Sequence, residues 1–212
     1  MTENEIRKIA ELAETIADNK FIMGDKLVEI GVSGPNLEAS LSSISMAQGE
    51  LGHARLIYRW AHEVQGQRGG KDVKSQTGKA FEQIVQASNW VELIAGFYVN
   101  NVAIDLVMKE LMKGNGNELK APFSKMLNEQ YDHLVYSKDW SHQLLQDTGS
   151  IPGRFKQEVD KAMKEAVAWL STIEKDSDLI SSGAISPQSN LSSECKEIVE
   201  ELPLDRNVSY AG

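Results

Sequence analysis

Three short breaks constrain the fold more than any other feature of this chain. GVSGPN at 31–36, GNGN at 114–117 and TGSIPG at 148–153 collect the glycines, prolines and asparagines that stop helices. Between them the apolar residues recur every three or four positions, the interval of one helix face. No stretch alternates with the two-residue period of a strand. The expected fold class is therefore all-α, a bundle of long antiparallel helices with further helices at the C-terminus.

The periodicity places a first helix over 3–30, with Ala10, Ala13, Ala17, Phe21, Asp25 and Val28 in one line. A second covers 37–64, its inward line running through Leu41, Ile44, Ala47, Glu50, His53 with Ala54, and Ile57. A third spans 80–113. It is apolar on nearly every side after Trp90, which puts it at the centre. A fourth spans 122–147, with Phe123, Met126, Gln130, His133, Ser137 and Trp140 on one face, and a fifth spans 154–174. From 176 the composition turns polar and serine-rich, which reads as a docked loop. Asn190 to Ser193 with Glu194 then read as the capping signal of a short last helix, and 203–212 as a frayed tail. The expected organisation is a bundle over 1–175 and an extension over 176–212 packed on the same domain.

Charge and composition exclude several functions. With 31 acidic against 22 basic residues and a net charge of −9, the chain lacks the basic face that nucleic acid requires. Its acidity suits a cationic protein surface or a basic electron carrier. A single cysteine, Cys195, allows no intrachain disulfide and fits a reducing cytoplasm. The N-terminal MTENEIRKIAELAE has no apolar core of a secretory signal. The most apolar stretch, 90–108, holds Glu92, Asn100, Asn101 and Asp105, so it reads as a helix buried in protein rather than in lipid.

Four histidines are present, His53, His62, His133 and His142. His53 lies midway along the second helix and His133 midway along the fourth. Stacking the two hairpins brings both to the same depth, whereas His62 and His142 fall nearer the helix ends. Di-iron centres in helical bundles take one carboxylate from each of two helices and Glu-x-x-His from each of the other two, because positions i and i+3 aim at one ion. ELGH at 50–53 satisfies that pattern. QYDH at 130–133 keeps the histidine but has Gln130 in place of the carboxylate, and the flanking Glu129 and Asp132 point off its line. Equal height assigns the single-ligand positions to Asp25 and Asn101, with Asp105 the weaker choice for the second. The candidate metal ligands are then Asp25, Glu50, His53 and His133, with Asn101 and Gln130 as degenerate positions. That set suffices for one iron or manganese ion and is poor for two. The alternative is no ion at all, with these six side chains satisfying one another by hydrogen bonds.

The segment FIMGDKLVEIGVSGPNLEASLSSISMAQGELGHARLIYRWA resembles the first hairpin of the phenylacetate-catabolism ferritin-like proteins, the subunits of phenylacetyl-CoA epoxidase. GPNL followed by LGHARL carries most of the likeness, and the interval from Asn101 to His133 is similar to the family's second hairpin. LISSGAISPQSNLSSECKEIVEELP is similar to the tail of the non-catalytic subunit. The resemblance implies a ferritin-like four-helix bundle and a structural, partner-binding subunit of a multicomponent oxygenase with a degenerate di-iron site. It implies a homologous subunit or a second copy as partner, and an acyl-CoA substrate at the partner's site. The competing expectation is a metal-binding oxidoreductase using Asp25, Glu50, His53 and His133. Arg68, Lys71, Lys74 and Lys79 form a basic loop that either meets coenzyme A phosphates or is simply solvated; no phosphate-binding fingerprint opens a helix there.

Overall fold

A computed structural model describes residues 1–67, 75–114 and 117–202; within 117–125 the only side chain described is that of Ser124. Among the described residues there are eight α-helices and no strand: α1 (Glu3–Glu29), α2 (Leu37–Val64), α3 (Glu82–Val85), α4 (Trp90–Lys113), α5 (Asn117–Gln146), α6 (Ile151–Glu174), α7 (Ser177–Ser181) and α8 (Leu191–Glu200). α1 packs along α2, α4 along α5 and α6, and the two pairs meet through α1 with α4 and α2 with α5. The all-α ferritin-like bundle expected from the sequence is the observed architecture.

Local chemistry sets the helix boundaries. Thr2 and Glu5 form a reciprocal capping box at the start of α1. Gly31–Ser33 make a 3-10 turn, and Asn36 opens α2 by accepting from the Ala39 amide at 2.8 Å. The stretch expected as one helix from 80 is broken. Asn89 caps α4 through the Glu92 amide at 3.2 Å, while Glu92 accepts from the Ser88 amide at 2.9 Å, so SNWVE at 88–92 starts a new helix. α4 is buried along nearly its whole length. It has a length and composition that would cross a membrane, yet 94% of its most apolar window is covered by the bundle.

Two C-terminal expectations need correction. The stretch read as loop contains α7, opened by Asp176 accepting from the Asp178 and Leu179 amides. Asn190 precedes α8 without a side-chain cap bond. Glu174 of α6 takes that role, accepting from the Ser192 amide at 2.6 Å and its hydroxyl at 3.0 Å. α8 packs on α6 and α4, and α7 on α1. The expected tail at 203–212 and Arg68, Lys71 and Lys74 lie outside the described residues, as does the side chain of Phe123.

Most of each expected inward line is buried, Ala10, Ala13 and Ala17 on α1 and Ala47 to Ile57 on α2, and the departures lie at the end of the α1 line and the start of the α2 line. On α1 the buried line runs Ile9, Ala13, Ile16, Lys20, Met23 and Leu27, which leaves Asp25 and Val28 exposed. On α2 it runs Ala39, Ser43, Ala47, Glu50, His53 with Ala54, and Ile57; Leu41 and Ile44 are 60% and 42% exposed. Asp25 stands two residues before the buried Leu27, about 200° away around the helix. α1 and α2 can approach closely because Gly24 faces Leu51: a β-carbon there would lie 2.7 Å from Leu51 Cγ.

Candidate functional site

At mid-height α1, α2, α4 and α5 bury a polar cluster inside an otherwise apolar core. Glu50, Asn101 and Gln130 are fully buried, and His53 and His133 nearly so. The fully buried Lys20 also lies here. Its Nζ sits 2.9 Å from Glu50 Oε2 and donates to Asn101 Oδ1 at 3.1 Å and to Gln130 Oε1. The second carboxylate oxygen of Glu50 lies 2.5 Å from His133 Nδ1. Gln130 in turn donates its amide to Asn101 Oδ1 at 2.7 Å.

His53 completes the cluster from the side. Its ring stacks on that of His133 with centroids 5.5 Å apart, and its Nε2 lies 2.7 Å from Glu129 Oε2. Sequence spacing points Glu129 off the line of Gln130 and His133. In the fold it reaches across to α2 from the rim of the site, because the facing residue is His53 rather than Glu50. His53 Nδ1 and Asn101 Nδ2 are buried with no hydrogen-bond partner among the described residues.

Close helix contact makes this meeting possible. Gly49 on α2 faces the His133 ring, and a β-carbon there would lie 2.7 Å from Nε2. Phe97 of α4 lines the other side of that ring, with centroids 6.2 Å apart.

The electrostatics follow from burial and pairing. Burial alone would raise the Glu50 carboxyl, but the Lys20 ammonium and the His133 hydrogen bond outweigh it and hold the pKa at about 2. Burial pushes Lys20 below the ordinary lysine range, opposed mainly by Glu50. Burial and the nearby Lys20 charge lower the His53 imidazole, which favours its neutral form.

The structure brings together Glu50, His53, His133, Asn101 and Gln130, and Glu50, His53 and His133 each offer one ligand atom within 4.8 Å of the others. Asp25 is not among them. It is exposed on α1, five residues past Lys20 and so about 140° around the helix from it. Asp105 is buried but pairs with Lys109 at 2.6 Å one turn along α4. Lys20 is the site residue that spacing rules missed. The signal was present: Lys20 continues the line of Ile9, Ala13 and Ile16 toward Met23 and Leu27, so a charge stands where the helix is otherwise apolar.

These residues do not fit a two-iron centre. Such a centre needs four carboxylates with two histidines. Here two of those positions are amides, a third carboxylate is turned to solvent, and the fourth, Glu50, is already matched by an ammonium. Glu50, His53 and His133 are the grouped donors that could hold a single ion.

No curated protein sequence matches the chain. The family model described as phenylacetic acid catabolic protein matches residues 1–204, and the chain belongs to that family.

Proposed function

We propose that this chain is a non-catalytic, partner-binding subunit of a phenylacetyl-CoA epoxidase-like oxygenase in the cytoplasm, carrying a degenerate di-iron site. The observation that carries the reading is the Lys20 ammonium lying among Glu50, Asn101 and Gln130, the positions at which motif spacing expects metal ligands. An ammonium with three oxygen neighbours makes the cluster a structural tie between α1, α2, α4 and α5. Oxygen activation and the acyl-CoA substrate then belong to the partner, a homologous subunit with both Glu-x-x-His motifs complete.

The surface supports the partner role. Leu37, Leu41 and Ile44 follow one face of α2 and are 74%, 60% and 42% exposed, with Val28 and Val32 exposed beside the same turn. An apolar helix face of that length is costly to leave in water and is usual at a subunit contact.

A second reading, a metal-binding oxidoreductase in its own right, has in its favour the grouped donor atoms of Glu50, His53 and His133. It has lost Asp25 as a ligand and must displace Lys20.

Co-expression with a homologue carrying two complete motifs tests the choice. The expected result is a stable complex whose phenylacetyl-CoA oxidation disappears when the homologue's ligands are mutated and persists in His53→Ala of this chain. Turnover by this chain alone, or no complex with any such homologue, overturns the proposal.

A further inference from the structure

We infer that the Lys20 ammonium is the resident cation of this centre and that it masks a mononuclear divalent-metal site whose donors are Glu50, His53 and His133. The inference rests on the non-catalytic reading of the site, and it adds what keeps the site free of metal. It does not depend on which partner the chain binds.

Three observations support it. First, the cluster is organised around a positive charge. The carboxylate Oε2 and the two amide oxygens of Asn101 and Gln130 all surround Lys20 Nζ, and Gln130 donates to Asn101 so that both oxygens stay turned inward. Carboxylate and amide oxygens gathered this way are groups that also ligate metal cations. Second, the charges already balance. Lys20 and Glu50 form a neutral buried pair, and a divalent ion beside the ammonium would set like charges together with one carboxylate between them. Third, donors remain for an ion in the absence of the ammonium. The ligand atoms of Glu50, His53 and His133 lie within 4.8 Å of one another, and His53 Nδ1 is buried without a partner. Two imidazoles and a carboxylate suit zinc, cobalt, manganese or iron in the divalent state.

Lys20 reaches the centre from α1, and its neighbours along the helix do unrelated work. Asp18 accepts from the Thr77 and Lys79 amides and Asn19 from the Phe81 amide. A substitution confined to position 20 therefore removes the cation and leaves the anchors of the 77–81 segment in place. Lys20→Leu keeps an apolar side chain on the buried line and vacates the space of the ammonium.

The test is cobalt(II) titration of the full-length native chain, Lys20→Leu and Lys20→Gln, followed by visible absorption and thermal unfolding. The native chain is expected to bind no stoichiometric cobalt and to show no thermal shift. The variants are expected to bind one equivalent, develop the visible bands of nitrogen-and-oxygen-ligated cobalt, and regain thermal stability on binding. Adding His133→Ala to either variant is expected to abolish all three effects. Stoichiometric cobalt in the native chain overturns the inference, as does failure of both folded variants to bind it. Should a variant fold poorly, refolding with and without cobalt decides, since the inference requires recovery of helical signal only with the metal. A separate check on the native chain uses nitrogen-15-labelled lysine. A slowly exchanging ammonium signal, in contact with the Gln130 and Asn101 side chains, is expected, and its absence overturns the inference. A chain that excludes cobalt but finds no partner fails the functional proposal alone.

Discussion

Lys20 and Glu50 form an ion pair at 2.9 Å between two fully buried side chains, one from each helix of the first hairpin. The pair joins α1 to α2 at the depth where α4 and α5 supply Asn101, Gln130 and His133. Its consequences for stability, pH response and assembly can each be measured.

Removing the carboxylate leaves a buried ammonium without its counter-charge. Glu50→Gln is expected to destabilise the chain by about 3–5 kcal/mol in chemical denaturation. The double variant Lys20→Leu with Glu50→Gln is expected to recover part of that loss, because it removes the orphaned charge as well. Additive losses would mean that the two groups are not coupled.

Acid should weaken the fold through the same residue. The folded-state pKa of Glu50 lies below its ordinary 4.5, at about 2. A lowered carboxyl pKa contributes stability that is present above pH 4.5 and is lost as pH falls toward 2. The shift corresponds to about 3 kcal/mol, an order-of-magnitude figure. Urea midpoints followed from neutral pH into this window should fall steeply in the native chain and less steeply in Glu50→Gln.

Two glycines of α2 should respond in opposite ways. Gly49→Ala places a β-carbon 2.7 Å from His133 Nε2 and is expected to cost about 1–3 kcal/mol while shifting the His133 ring resonances. Gly52 has nothing within 4 Å of the added atom. Gly52→Ala is expected to be neutral or to stabilise by up to about 1 kcal/mol through helix propensity.

The exposed line of α2 should matter to the assembly and not to the isolated chain. Leu41→Glu with Ile44→Glu is expected to leave thermal unfolding of the chain nearly unchanged, since both residues are already largely in water. It is expected to weaken association with the homologous subunit at least tenfold by titration calorimetry. Unaltered affinity would place the contact elsewhere.

Asp18 and Asp25 provide a contrast within one helix. Asp18 is fully buried and accepts from the Tyr58 hydroxyl, the Thr77 amide and hydroxyl, and the Lys79 amide. Asp18→Ala should strip exchange protection from the Thr77 and Lys79 amides and cost several kcal/mol, about 1–3 for each buried group left unmatched. Asp25→Ala, at an exposed position, should stay within about 0.5 kcal/mol of the native chain.

How much of this was legible follows from the physics of each signal. Helix breakers and apolar spacing place α2 at its observed bounds and α1 to within one residue. They also bring Glu50, His53 and His133 to one depth, because backbone periodicity alone decides these. Phase within a helix is harder. Asp25 and Val28 at the end of the α1 line, and Leu41 and Ile44 at the start of the α2 line, satisfy the same helical period of about 3.6 residues as the buried residues they extend. On α2 the apolar residues that mislead the choice, Leu41 and Ile44, are exposed in the fold. Lys20 was hidden for a related reason: a lysine is read as solvated unless its counter-charge is known, and Glu50 comes from another helix. The break before α4 was readable in SNWVE, where an N-cap asparagine with a glutamate three residues on interrupts a pattern that is apolar on both sides.

A crystal of the chain grown from iron-replete cells, with anomalous diffraction recorded at the iron edge, tests the central relationship most directly. The expected map shows continuous density from the Lys20 stem to a nitrogen among Glu50, Asn101 and Gln130, with no anomalous peak. An anomalous peak coordinated by Glu50, His53 and His133, with Lys20 swung aside, would contradict it.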